Sequence, residues 1–374
     1  MSLQFKIADA ACGTAGHPDL VGERPGTGEL APIALTWTTA LIPLPRMLQA
    51  GGATARELLE QTGLPEIAID HGRDLVPIAA ACALLELAAR RLGMTEIGPA
   101  LIPEGGLASL GMLGAHVGCA EHLLEAIDRL GRHAGPHLLG VEMKLQVIGR
   151  SAIWSCSPSP AADAGRHHSA MLALGWMRQV VRSAAGPDWR ADEVRIPRPG
   201  RDLERARQAL GEHVLPGMAY ALLFPRALLR RPMPPVPRRG DLAGASALAR
   251  QQAALPADFI GSVRLLLRTF LHAGYPHLPT FARACGLSIR MLQRRFAASG
   301  TTYSKLVEQI RREEAMAMLA DGRITVTEVG LELGYHESAS FTRAFRRWQG
   351  LAPREYRLIA CEGDGATQQV SGTN

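Results

Sequence analysis

The chain lacks the cysteine spacing that metals and redox centres use. Its six cysteines, Cys12, Cys82, Cys119, Cys156, Cys285 and Cys361, are scattered over 374 residues without a CxxC pair. No metal-ligand spacing is visible, and the thiols read as small buried hydrophobes of a reducing compartment. Long apolar runs are missing too. The most apolar stretch, Leu75 to Leu85, is too short to cross a bilayer and is stopped by Glu86. The first 35 residues are rich in Gly, Ala and Pro but show no basic segment followed by an apolar core, which excludes a secretory signal of the usual form. No P-loop and no GxSxG elbow occurs. Gly26 to Ala31 fits a loose GxGxxA, yet no strand precedes it. His167 and His168, with His116, His133 and His137, could be imagined as a metal site. Neighbouring histidines on a helix point about 100° apart, however, and share an ion poorly. The expectation is a cytoplasmic protein with no membrane span, no metal, no cofactor and no catalytic residue.

What is present fits a folded chain of two or three domains, 47% hydrophobic and 20% charged. The formal net charge is +6. Residues 256–358 hold 15 Lys and Arg against 9 Asp and Glu, whereas the remainder holds 26 of each sign. All the excess positive charge therefore lies in one window, as a polyanion-binding region requires. A solvated basic face is the plainer reading of that window taken alone.

The chain divides into a flexible leader (1–35), a mixed domain (36–231), a linker rich in proline and alanine (232–255), a helical domain (256–360) and a polar tail (361–374). Within the mixed domain, helical periodicity covers Ala53 to Gln61, Ile78 to Leu92 and Glu121 to Leu130. Alternation from Leu139 to Val147, a Gly149-Arg150 turn and renewed alternation through Ala152, Trp154 and Cys156 predict a hairpin. A helix with Ala170, Leu174, Met177 and Val181 on one face follows, then a strand at Val194 to Ile196 and a helix at Leu203 to Leu210. The fold class is α+β, followed by an all-α domain. Trp154, Trp176 and Tyr220 are candidate pocket aromatics, with plain core as the simpler role.

The helical domain carries two helix-turn-helix patterns. In the first, a helix from Leu278 to Ala284 meets Gly286, and Ser288 caps the next helix. With Leu292 and Phe296 inward, at about 100° per residue Arg290, Gln293 and Arg294 point outward. Arginine pairs bidentately with guanine and glutamine with adenine. A helix from about Ser304 to Ala320 then spans roughly 25 Å, a rigid spacer between two reading helices. Thr325 to Glu328 has capping-box spacing and opens the second pattern. There Phe341 and Phe345 set the inner face, Arg343 points away, and Ala339 and Arg346 flank it. Arg343, Arg346 and Arg347 are placed to hold phosphates. Pro353 opens a final short helix.

These residues resemble the AraC/XylS family of transcription regulators. The matching stretches are Gly286-Leu287-Ser288, Leu292 to Phe296, Val329 to Tyr335, Phe341 to Phe345 and Leu351 to Arg357, in order over about 100 residues. The resemblance implies that Arg290, Gln293 and Arg294 in the first reading helix, and Ser338, Ala339 and Arg343 in the second, read promoter DNA. Ala352 stands where the family's closing motif usually has serine. The upstream domain, through Val194 to Pro197, Leu223 to Pro225 and Gly106 to Gly111, is similar to an α+β sensing domain of one family branch rather than to a cupin. The implied partners are double-stranded promoter DNA, RNA polymerase, a small-molecule effector of unknown identity and a second copy of the chain. The implied sign of regulation is activation. Two other readings stay open: an N-terminal DNA-repair or other enzyme, and a ligand-independent architectural DNA binder.

Overall fold

Short apolar segments punctuated by glycine and proline build the first part of the chain. The computed structural model describes residues 31–69, 72, 74–103, 106–197, 203–210, 213–234, 241–271 and 275–368. The chain forms two units, one built on residues 33–257 and one on 258–282 and 287–374.

In the first unit, β1 (Leu35–Trp37) pairs antiparallel with β2 (Leu75–Pro77), and α1 (Leu44–Ala50) and α2 (Ala55–Thr62) lie between them in sequence. Helices α3 (Ile78–Leu92), α4 (Ile97–Ala100), α5 (Gly111–Gly118) and α6 (Leu123–His137) follow. The predicted hairpin is β3 (Glu142–Ile148) and β4 (Ser151–Ser157), with Leu145 opposite Trp154. After α7 (Arg166–Ala185) come β5 (Glu193–Pro197), α8 (Leu203–Leu210), β6 (Val214–Gly217) and β7 (Tyr220–Pro225). The sheet order is β3-β4-β7-β5-β6, antiparallel except for the β5–β6 pair, which α8 links as a crossover. Helix α7 packs on β4 and β7, and α6 on β3. Ala170, Met171, Leu174 and Met177 of α7 and Trp154 and Cys156 of β4 are buried there.

Three expectations need correction. Alternation predicted strand from Leu139, but the strand opens at Glu142. Leu139 has φ 56° and Gly140 φ 75°, left-handed conformations that cannot pair as strand. The stretch 232–255 was expected as a linker, yet α9 (Asp241–Ala253) forms within it and packs on α5, with Leu248 buried. The prolines end at Pro237, and the alanine beyond them is a helix former rather than a spacer. The final helix was expected to be short, but it runs through eight of the residues assigned to the polar tail. The leader lies outside the described residues up to Leu30, and Leu35 already belongs to β1.

The second unit consists of α10 (Phe259–Leu271), α11 (Leu278–Ala284), α12 (Ile289–Ala298), α13 (Tyr303–Asp321), α14 (Val326–Glu332), α15 (Ser338–Gln349) and α16 (Pro353–Gln368). An aromatic core ties these helices together. Phe259 meets Phe296 at 5.2 Å between ring centroids, Phe270 meets Phe281 at 6.1 Å, and Phe345 meets Tyr356 at 5.4 Å.

Candidate nucleic-acid interface

Each reading helix is aimed by the turn before it. Gly286, at φ 66°, turns the chain after α11, and the Leu287 amide donates to the Ala282 carbonyl at 2.9 Å. The Ser288 hydroxyl then accepts the Met291 amide at 3.2 Å and starts α12. Burial of Leu292 and Phe296 fixes the rotation of that helix. Arg290, Gln293 and Arg294 all stand exposed as a result. Arg295 is half-buried, its guanidinium 5.4 Å from the Phe259 ring, so it serves packing.

The second motif repeats this logic. Thr325 Oγ1 accepts the Glu328 amide at 3.2 Å, and Glu328 returns a carboxylate to the Thr325 amide at 2.6 Å, a complete capping box. Those hydrogen bonds hold the Glu328 carboxyl below the usual carboxylate range. Gly334, at φ 77°, makes the turn. Phe341 and Phe345 are fully buried, and Ser338, Ala339, Arg343, Arg346 and Arg347 are exposed. Arg343 donates to Ser340 at 3.0 Å. At Ala352, where serine was expected by resemblance, Glu355 accepts the Ala352 amide at 2.7 Å, so half of a capping box survives.

Sequence reading missed how α13 grips its neighbours. Arg347 donates to Glu308 at 2.6 Å and Trp348 Nε1 donates to the same oxygen at 2.8 Å. Trp348 and then Arg347 hold the Glu308 carboxyl below its ordinary range. Arg347 is thus engaged by a carboxylate as well as exposed. Arg264 pairs with Glu313 at 2.8 Å and Arg268 with Glu314 at 2.9 Å, fixing α10 on α13. No local pattern announces these pairs, because their members are 39 to 49 positions apart; only the side-chain types were visible.

In the first unit, Trp154 and Trp176 are core, 0% and 2% exposed. Tyr220 joins a polar chain that sequence did not show. Glu96 lies 2.9 Å from His167 Nε2, and Tyr220 Oη lies 3.0 Å from His167 Nδ1. The His167 ring therefore bridges the Glu96 carboxyl group and the Tyr220 phenol. Burial pushes the thiols of Cys82 and Cys156 up to about 12, the reverse of what a nucleophilic cysteine needs. Among the described residues, no group of three His, Cys, Asp or Glu side chains could hold a metal. No helix among them is long and apolar enough to cross a membrane.

Two helix-turn-helix units with exposed polar reading faces on one basic domain define a DNA-binding regulator. Comparison with known proteins makes the assignment specific. Residues 52–233 match the family described as the arabinose-binding domain of AraC transcription regulator, N-terminal, and residues 273–358 match the helix-turn-helix domain family. The HTH-type transcriptional regulator VirS of Mycobacterium tuberculosis is 26% identical over 314 residues, covering 82% of this chain and 91% of VirS. The HTH-type transcriptional regulator VqsM of Pseudomonas aeruginosa is 39% identical over 101 residues, 26% of this chain, and the match spans only 31% of VqsM. The crystal structure of the transcriptional regulator CdpR from Pseudomonas aeruginosa is similar at a TM-score of 0.41 and 20% identity, covering 86% of this chain and 98% of that one; a likeness this loose adds nothing to the assignment. The chain belongs to the AraC family of transcription regulators, with a ligand domain of arabinose-binding type before its helix-turn-helix DNA-binding domain.

Proposed function

We propose that this regulator acts in the cytoplasm, reads promoter DNA with α12 and α15, and answers to a small-molecule effector without catalysing a reaction. The observation that carries the reading is the pair of exposed polar faces, Arg290, Gln293 and Arg294 on α12 and Ser338, Arg343 and Arg346 on α15. In this reading α12 contacts base edges. Helix α15 reads less, because Ala339 offers no hydrogen-bonding group, and Arg346 and Arg347 hold phosphates. Residues 36–231 sense the effector and pair two subunits, and 256–360 bind DNA. Activation through RNA polymerase is the expected output.

Selection of bound sequences from a random duplex pool tests the DNA reading. A single enriched site containing two sub-sites is expected, and enrichment of no sequence over background would refute it. The effector reading rests on the family match over residues 52–233. Incubating the full chain with a fractionated cell extract should raise its melting temperature in one fraction. If no fraction does so, the ligand-independent architectural reading takes its place.

A further inference from the structure

Helix α13 joins the two reading motifs, and one of its side chains touches both. The Arg311 guanidinium carbon lies 4.1 Å from the centroid of the Tyr275 ring and 5.0 Å from that of Tyr335. Tyr275 belongs to the segment leading into α11, so it moves with the first motif. That segment is itself tied to α13, because Tyr303 donates its hydroxyl to the Pro276 carbonyl at 2.6 Å. Tyr335 sits in the turn between α14 and α15 and packs on Phe341 of α15 at 5.6 Å, so it moves with the second motif. One turn earlier on α13, Glu308 holds Trp348 and Arg347 at the far end of α15. These groups line a cleft of about 510 Å³.

A guanidinium is flat and presents two faces, so it can stack on one ring from each motif; an ammonium offers a point charge without faces. Each contact of this kind shifts an equilibrium by roughly a few-fold to about thirtyfold, more as it is desolvated, and Arg311 is half-buried. We infer that Arg311 is a positioning residue. It fixes the mutual orientation of α12 and α15, and thereby the separation of the two DNA sub-sites that the protein accepts. The inference rests on the reading that both helices enter DNA, and it assigns Arg311 no contact with the duplex.

The test uses the full chain and a selected duplex, together with duplexes carrying one or two base pairs inserted between the sub-sites, each titrated by fluorescence anisotropy at two salt concentrations. The wild-type protein should lose affinity sharply on insertion. Arg311→Ala should bind the original spacing about tenfold more weakly. It should also discriminate less between spacings, with its salt dependence unchanged. Arg311→Lys keeps the charge without the flat faces and should resemble Arg311→Ala. If Arg311→Ala does not fold, Tyr335→Leu decides, because it removes one stacked ring while leaving an apolar contact for Phe341; it should show the same relaxed spacing preference.

Equal weakening at every spacing, a salt slope lower by about one unit, or full rescue by lysine would each overturn the inference, since those mark a phosphate contact or simple charge. A wild-type protein that binds with no spacing preference overturns both this inference and the two-helix reading. A wild-type preference that persists unchanged in the variants overturns this inference alone.

Discussion

Arg294 and Arg346 are both exposed arginines on reading helices, and their surroundings separate their roles. Arg294 stands beside Gln293 and one turn beyond Arg290, in the middle of α12. Arg294→Ala should therefore cost about 1–3 kcal/mol on the selected site and flatten the preference at one base pair. Arg346 lies near the end of α15. Arg346→Ala should weaken all sequences alike and lower the salt slope by about one unit. Titration of single-base site variants at two salt concentrations measures both, and the opposite pattern would reverse the roles. His137 poses a different question. It is 7% exposed, stacked on Trp37 at 6.3 Å, and burial with help from His133 holds its pKa down to about 4 against an ordinary 6.5. Between those values the unfolded chain takes a proton that the folded chain refuses. Stability should accordingly fall as pH drops from 6.5 toward 4, by at most about 3 kcal/mol from this group. His137→Phe keeps the stack and removes the proton, so its melting temperature should fall less than that of wild type over that window. Parallel losses would place the acid sensitivity elsewhere.

At the scale of elements, caps decide where the reading helices begin. Ser288→Ala should destabilise the start of α12 by about 1 kcal/mol, whereas Ser288→Gly should cost only a few tenths. Hydrogen exchange at the Met291 amide, which the Ser288 hydroxyl accepts, should quicken about fivefold in the alanine variant, the rate equivalent of that energy. Unchanged exchange would mean that tertiary packing alone holds the helix end. Such caps were legible in the sequence, as were the boundaries of α3 and α8 and the inner faces set by Leu292, Phe296, Phe341 and Phe345, because all follow from local chemistry and a 3.6-residue period. Other elements were not legible. Strand β7 is apolar at nearly every position, so its central place in the sheet leaves no alternation to read. Strands β1 and β2 have three residues each, too few for any period. The Glu96–His167–Tyr220 chain and the Arg311 stack join residues 24 to 71 positions apart, and only the folded chain brings them together.

Charge segregation is a property of the whole molecule, and it sets how affinity depends on solution conditions. The window 256–358 carries the entire excess of 15 basic over 9 acidic residues, and the rest of the chain is balanced. A duplex bound through that window releases the counterions that its phosphates had condensed, so log K for the full chain should fall linearly with log salt. Neutralising Arg346 and Arg294 together should lower the slope by about one unit rather than two, since only one of them is expected to face a phosphate. Reversing two exposed charges of the first unit, Arg56→Glu and Arg90→Glu, should leave the slope unchanged, because both already pair with local carboxylates, Glu60 at 3.2 Å and Glu86 at 2.8 Å, and lie outside the basic window. Anisotropy titrations of the three proteins between 50 and 200 mM salt, roughly the range over which such contacts lose most of their affinity, make the comparison. A slope that drops with the first-unit reversals would mean that the balanced unit also touches the polyanion, and the division of labour between the two units would then be wrong.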